Sequence, residues 1–85
     1  MDLNEQFEAS QAKAKALSKK PSNEALLDLY SLFKQATVGD VRGDRPSGFD
    51  FVGGAKFDAW EKRRGMSADE AKQAYVDLVD ELAAG

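Results

Sequence analysis

Tyr30, Phe33 and Lys34 lie close together in a stretch whose apolar positions Leu26, Leu29, Tyr30, Phe33 and Ala36 recur at three- and four-residue steps. Such spacing is helical, and residues four apart share a helix face, so a phenol, an aromatic ring and an ammonium group come together. That trio suits binding, because an ammonium meets an anion and a ring supplies a flat wall. A plain structural account fits as well, with Phe33 in the core and Lys34 laying its stem over the core edge. Lys56 is the second cation set near an aromatic, one turn before Trp60. It reads as a cation–π partner of that indole, as a snorkelling stem, or as a second anion ligand facing Lys34. Lys13, Lys15, Lys19 and Lys20 make a local positive edge, which in most proteins is a solvated face.

Catalysis has little to work with here. The 85 residues include no cysteine and no histidine. A thiolate nucleophile, a zinc–sulfur site and the commonest general base are therefore all missing. Asp77 and Glu81 are spaced as a carboxylate pair on one helix face, but no third ligand or base joins them, so they read as solvent-facing. The aspartates between Gly39 and Val52 lack calcium-loop spacing. Gly48 to Gly54 lacks the Lys-Ser/Thr of a phosphate loop. A formal charge of −3 speaks against a general nucleic-acid binder, whose affinity needs a basic footprint. No apolar run approaches the roughly 20 residues of a membrane span. Neither a signal-peptide pattern nor a Met-Gly start opens the chain. The expectation is a cytoplasmic protein with no stable membrane insertion, no metal and no cofactor.

Four helices must carry these side chains. The first runs from about Leu3 to Leu17, with Leu3, Phe7, Ser10, Ala14 and Leu17 on one stripe and a charge polarity that complements the helix dipole. Lys19-Lys20-Pro21 ends it, and Ser22 is a good N-cap for the second. That second helix carries apolar residues on more than one stripe, so two of its sides need cover: it reads either as the central helix of a small bundle or as one with a face that a ligand covers part of the time. It stops at Gly39, a C′ residue that takes positive φ freely. Gly39 to about Val52 is irregular and rich in turn residues, with Phe49 and Phe51 expected to tether it to the core. A short third helix, about Gly53 to Arg64, should bury Phe57 and Trp60. The fourth opens on the capping box Ser67-Ala68-Asp69-Glu70 and continues to about Ala84, with Ala71, Ala74, Tyr75, Leu78, Val79 and Leu82 inward. The fold class read from this pattern is all-α, a four-helix bundle in one domain spanning 1–85.

The stretch Pro21-Ser22-Asn23-Glu24-Ala25-Leu26-Leu27-Asp28-Leu29-Tyr30-Ser31-Leu32-Phe33-Lys34-Gln35-Ala36-Thr37-Val38-Gly39 closely resembles the signature of the acyl-CoA-binding proteins. The resemblance continues through Gly39-Asp40, Arg45-Pro46, Asp50-Phe51, Ala55-Lys56-Phe57-Asp58-Ala59-Trp60 and Ala74-Tyr75. It implies a skewed four-helix bundle in up-down-down-up order. The implied role is an intracellular carrier and buffer of medium- to long-chain fatty acyl-CoA thioesters, with no chemistry performed on them. Acyl-CoA-using enzymes would be the recipients.

By the same resemblance, Tyr30, Lys34 and Lys56 align with ligands of the coenzyme A head, chiefly its 3′-phosphate. Tyr75 aligns with a tyrosine on the nucleotide side, and Lys15 and Lys20 with basic positions near the cleft. Phe33 stands where many members have tyrosine, so any hydrogen bond from a hydroxyl there is lost. Phe57 replaces a usual tryptophan, Val52 and Gly54 replace frequent lysines, and Gln11 replaces a usual alanine. Two other classes compete with the carrier. A helical protein-interaction module would need an exposed apolar stripe but no convergent lysines. A thioesterase or isomerase would need a nucleophile–base pair that the composition does not provide.

Overall fold

Each helix begins where a side-chain oxygen takes a hydrogen bond from the first turn. In the computed structural model, which describes residues 1–85, these helices are α1 (Leu3–Lys15), α2 (Asn23–Thr37), α3 (Phe51–Glu61) and α4 (Ala68–Ala84). Asp2 Oδ1 accepts from Glu5 N at 2.8 Å and Ser22 Oγ from Ala25 N at 3.1 Å. Asp50 Oδ1 accepts from Gly53 N at 2.8 Å. At α4 the expected capping box is complete, with Glu70 N donating to Ser67 Oγ and Ser67 N donating back to Glu70 Oε1, both at 3.1 Å. The Ser67 backbone N–H, foremost, draws the Glu70 carboxyl below its ordinary value. Where α2 ends, Val38 N and Gly39 N both donate to Lys34 O, and Gly39 adopts φ +98°. A side chain there would be strained, so glycine is required.

Two boundaries differ from expectation, each for a local reason. α1 stops at Lys15 rather than Leu17, because Ala16 N turns back to Lys13 O in a tighter final turn. α3 starts at Phe51 rather than Gly53, because Asp50 is its N-cap. A Cβ at Gly53 would collide with the Asp50 carboxylate, so that glycine makes room for the cap, while Gly54 makes room for the Arg45 guanidinium. It also ends at Glu61, with 62–65 forming a turn.

Cross-helix contacts give the direction of each helix. Lys72 Nζ reaches Asn4 Oδ1 at 2.6 Å, and Lys13 Nζ reaches Asp80 Oδ1 at 2.7 Å, so α1 and α4 run parallel. Gln35 Nε2 donates to Met66 O at 2.9 Å, which sets the end of α2 beside the start of α4. Lys56 lies over Tyr30 and Lys34 over Trp60, so α2 and α3 are parallel and in step. The order is up-down-down-up, an all-α four-helix bundle. It is a flat one, measuring 39 × 28 × 15 Å. Packing is uneven: α4 lies against both α1 and α2, whereas α3 packs on α2 alone. With a helix about 10–12 Å across, a body this thin leaves helix faces open.

The core is Phe7, Leu29, Leu32, Ala36, Ala71, Tyr75, Val76 and Val79. Phe7 meets Tyr75 edge-on at 5.1 Å and stacks on Phe33 at 6.0 Å. The expected inward residues Ala74, Leu78 and Leu82 are half-buried at its margin, and Val76 takes a central place instead.

The segment 38–50 is not held as expected. Phe49 and Phe51 are 94% and 81% exposed, and Val41, 4% exposed, is the residue that enters the interior. Polar contacts do the remaining work. Trp60 Nε1 donates to Gly39 O at 2.8 Å, and Arg45 forms two bonds with the Asp58 carboxylate at 2.9 and 3.0 Å. Asp40 Oδ1 accepts from both Gly65 N at 2.9 Å and Gln35 Nε2 at 2.8 Å. Those two bonds, Gly65 first, hold the Asp40 carboxyl below its ordinary pKa. Phe57 and Trp60, expected as a buried pair, are half-buried, and the one buried residue of α3 is Gly54, beneath the Arg45 guanidinium.

Candidate ligand-binding site

Because α3 touches no helix but α2, the outward side of their seam is open. A groove of about 410 Å3 runs along it, lined by Asn23, Leu26, Leu27 and Tyr30 of α2 and by Phe51, Val52, Ala55 and Lys56 of α3. Its walls are mostly apolar and its volume falls within the roughly 300–1,000 Å3 of small-molecule sites. A second hollow, about 330 Å3, lies where α1 and α2 diverge over α4. Gln11, Ala14, Lys15, Pro21, Leu26, Leu29, Phe33 and Tyr75 line it. Leu26 borders both, so the two hollows meet over one side chain.

The cations stand at the seam itself. Lys56 Nζ lies 5.1 Å from the Tyr30 ring centre, and Lys34 Nζ lies 5.5 Å from that of Trp60. Trp60 is held by its bond to Gly39 O, and Tyr30 is half-buried in α2. The pairing crosses between helices: Lys56 leaves the Trp60 of its own helix to Lys34. Neither lysine has a carboxylate partner, for the ion pairs use Lys13, Arg45, Arg63 and Arg64. A cation–π contact at such a site is worth about 0.5–1 kcal/mol. A charged hydrogen bond to an anion contributes about 1.5–3 kcal/mol. An anion that reached either ammonium would therefore gain more than the ring contact it replaced.

In the second hollow, burial raises the Tyr75 phenol above its ordinary pKa. Phe33 flanks it, and Phe7 backs both rings. These surfaces offer an aromatic wall in one hollow and an apolar one in the other, with Leu26 common to both.

Among the residues singled out in the sequence, Tyr30 and Lys56 line the first groove, and Phe33, Tyr75 and Lys15 line the second. Lys34 lines neither hollow; its ammonium lies on Trp60 along the α2–α3 seam, one turn beyond the Tyr30–Lys56 contact. Lys20 is exposed and lines neither. Sequence reasoning did not assign Asn23, Phe51, Val52 and Ala55 as groove walls; for the α3 residues a signal was Asp50, the cap that starts the helix earlier.

The family model described as acyl CoA binding protein matches residues 4–79. The chain belongs to the acyl-CoA-binding protein family. Among members of that family, acyl-CoA-binding protein homolog 1 of Caenorhabditis elegans is 50% identical over 78 residues, covering 92% of this chain and 91% of its own length. The acyl-CoA-binding protein of Brassica napus is 49% identical over 82 residues, covering 96% and 89%. The crystal structure of Oryza sativa acyl-CoA-binding protein 2 superposes with a TM-score of 0.92 at 43% identity, covering 98% of this chain and 92% of that one. No helix of the chain is long and apolar enough to cross a membrane.

Proposed function

We propose that this chain, acting as a single acyl-CoA-binding domain over 1–85, is a cytoplasmic carrier and buffer of medium- to long-chain fatty acyl-CoA thioesters. It performs no chemistry on them. Lys34 and Lys56 bind the phosphates of the coenzyme A head, chiefly the 3′-phosphate, with Tyr30 beside them. Phe33 and Tyr75 wall the adenine, Lys15 lies at the edge of that hollow, and Lys20 adds charge nearby without lining it. The acyl tail lies in the α2–α3 groove against Leu26, Leu27, Phe51 and Val52. Delivery to acyl-CoA-using enzymes completes the role.

The observation that carries this reading is the pair of ammonium groups without carboxylate partners on aromatic rings along the α2–α3 seam, one of them lining an apolar groove. An overall charge of −3 is no obstacle, because a phosphate responds to the local cluster. The family relationship supports the ligand class.

Calorimetry with acyl-CoAs of increasing length tests the arrangement. Each buried methylene contributes about 0.8 kcal/mol, so affinity should climb steeply from octanoyl- to palmitoyl-CoA and far exceed that for free coenzyme A or free fatty acid. Equal affinity for the two esters would exclude the groove as the seat of the tail.

A further inference from the structure

The most solvent-exposed apolar side chains of the folded body outside the termini cluster in four consecutive residues. Phe49 is 94% exposed, Phe51 81% and Val52 67%, all at the N-terminal lip of α3. Phe51 and Val52 also wall the α2–α3 groove, whereas Phe49 lies outside it. The apolar surface of the groove is thus continuous with an apolar projection on the exterior. The flanking charges are engaged or mixed in sign: Arg45 is paired with Asp58, Asp50 caps α3, and Lys56 lies on Tyr30.

We infer that the Phe49–Val52 lip is a lipid-contact surface, by which the protein touches a neutral bilayer so that an acyl tail passes from lipid into the groove. The inference rests on the acyl-CoA reading above. Three features select lipid over a protein partner. Three projecting side chains, even at roughly 150–250 Å2 for a whole aromatic, fall short of the roughly 800 Å2 per partner of a stable protein interface. They are nonetheless suited to shallow insertion, where apolar side chains enter the headgroup boundary. The lip has no cluster of free cations, since Arg45 is paired with Asp58 and Lys56 lies on Tyr30, so attachment is apolar and owes nothing to anionic lipid. Finally, a ligand with a long apolar tail dissolves in bilayers, and a groove that opens onto the inserted lip spares that tail a passage through water.

Phe49 separates contact from binding because it lies outside the groove. Ligand-free protein is mixed with phosphatidylcholine vesicles and followed by flotation, and the rate of palmitoyl-CoA uptake from the same vesicles is measured. F49S should reduce both at least tenfold while calorimetry in vesicle-free buffer gives palmitoyl-CoA affinity within twofold of wild type. Adding phosphatidylserine should not strengthen the flotation of the wild-type protein. Uptake by F49S at the wild-type rate, or absence of wild-type flotation, overturns the lipid-contact assignment even if calorimetry shows tight binding. A wild-type dimer in sedimentation that F49S dissolves also overturns it, in favour of a second copy of the chain. No affinity in vesicle-free buffer would instead remove the acyl-CoA reading, which flotation of the ligand-free protein does not test.

Discussion

α4 and α3 are built for different tasks. α4 buries Ala71, Tyr75, Val76 and Val79, lies against two helices, and opens on a two-way cap. α3 buries only Gly54, lies against one helix, and keeps its place through the Trp60 bond to Gly39 and the Arg45–Asp58 pair on its neighbouring loop. The first arrangement concentrates hydrophobic stabilisation; the second leaves one side of a seam uncovered. A small domain thus segregates its stability from its open surface. Residues on the α4 side should report on unfolding and residues on the α3 side on ligand, with Tyr75, which is in the core and also lines the second hollow, reporting on both.

The strongest way to break that contrast is Phe7→Ala. Phe7 is 6% exposed and touches both Tyr75 and Phe33. Its truncation should destabilise by about 3–5 kcal/mol, read as a large fall in the denaturant midpoint. A loss under 1 kcal/mol would mean that the core does not carry the fold. Lys34→Ala is the complementary change. It removes a charged contact to ligand of about 1.5–3 kcal/mol, so acyl-CoA affinity should drop by about tenfold or more in calorimetry. Thermal unfolding should barely move, since only the Trp60 contact is lost. Large destabilisation by that variant would make Lys34 a structural residue.

Acid gives the smallest and most distributed effect. Asp40, Asp58 and Glu70 are all held below their ordinary pKa, by Gly65 and Gln35, by Arg45, and by Ser67. A carboxylate depressed by folding contributes stability in full above its unfolded pKa and loses it as pH falls through the folded one. The melting temperature should therefore be level from neutral pH down to the ordinary carboxylate range and fall below it. Asp40→Asn should shallow that fall, because one of the three protonation steps disappears. All three groups are exposed, so the slope is gentle.

Much of this was legible in the chain because it depends on neighbours in sequence. Ser22, Gly39 and the Ser67–Glu70 box act within one turn, and the stripe of α2 displays Tyr30, Phe33 and Lys34 by helical period alone. Asp50 was harder to read: two glycines in the first turn of α3 depress helix propensity, hiding a cap that the structure uses. Residue type alone points Phe49 and Phe51 inward, yet in the fold they project and Val41 goes in. The exchange that gives Lys34 to Trp60 and Lys56 to Tyr30 depends on the register between two helices, which spacing within either one does not encode. The same is true of Gln35, a polar residue in mid-helix whose partners, Asp40 and Met66 O, come from separate segments.

Parallel pairing of α2 and α3 has a geometric corollary. With Tyr30 level with Lys56 and Lys34 with Trp60, Phe51 stands level with Ala25. The chain leaving Thr37 must therefore climb back about twelve helical residues, roughly 18 Å, before α3 can start. At about 3.3 Å per residue this needs at least five or six residues pulled straight, and a tight hairpin turn is impossible. The glycines, proline and aspartates of 38–50 are thus first of all a return path, and its slack is what lets Val41 dip inward while Phe49 projects.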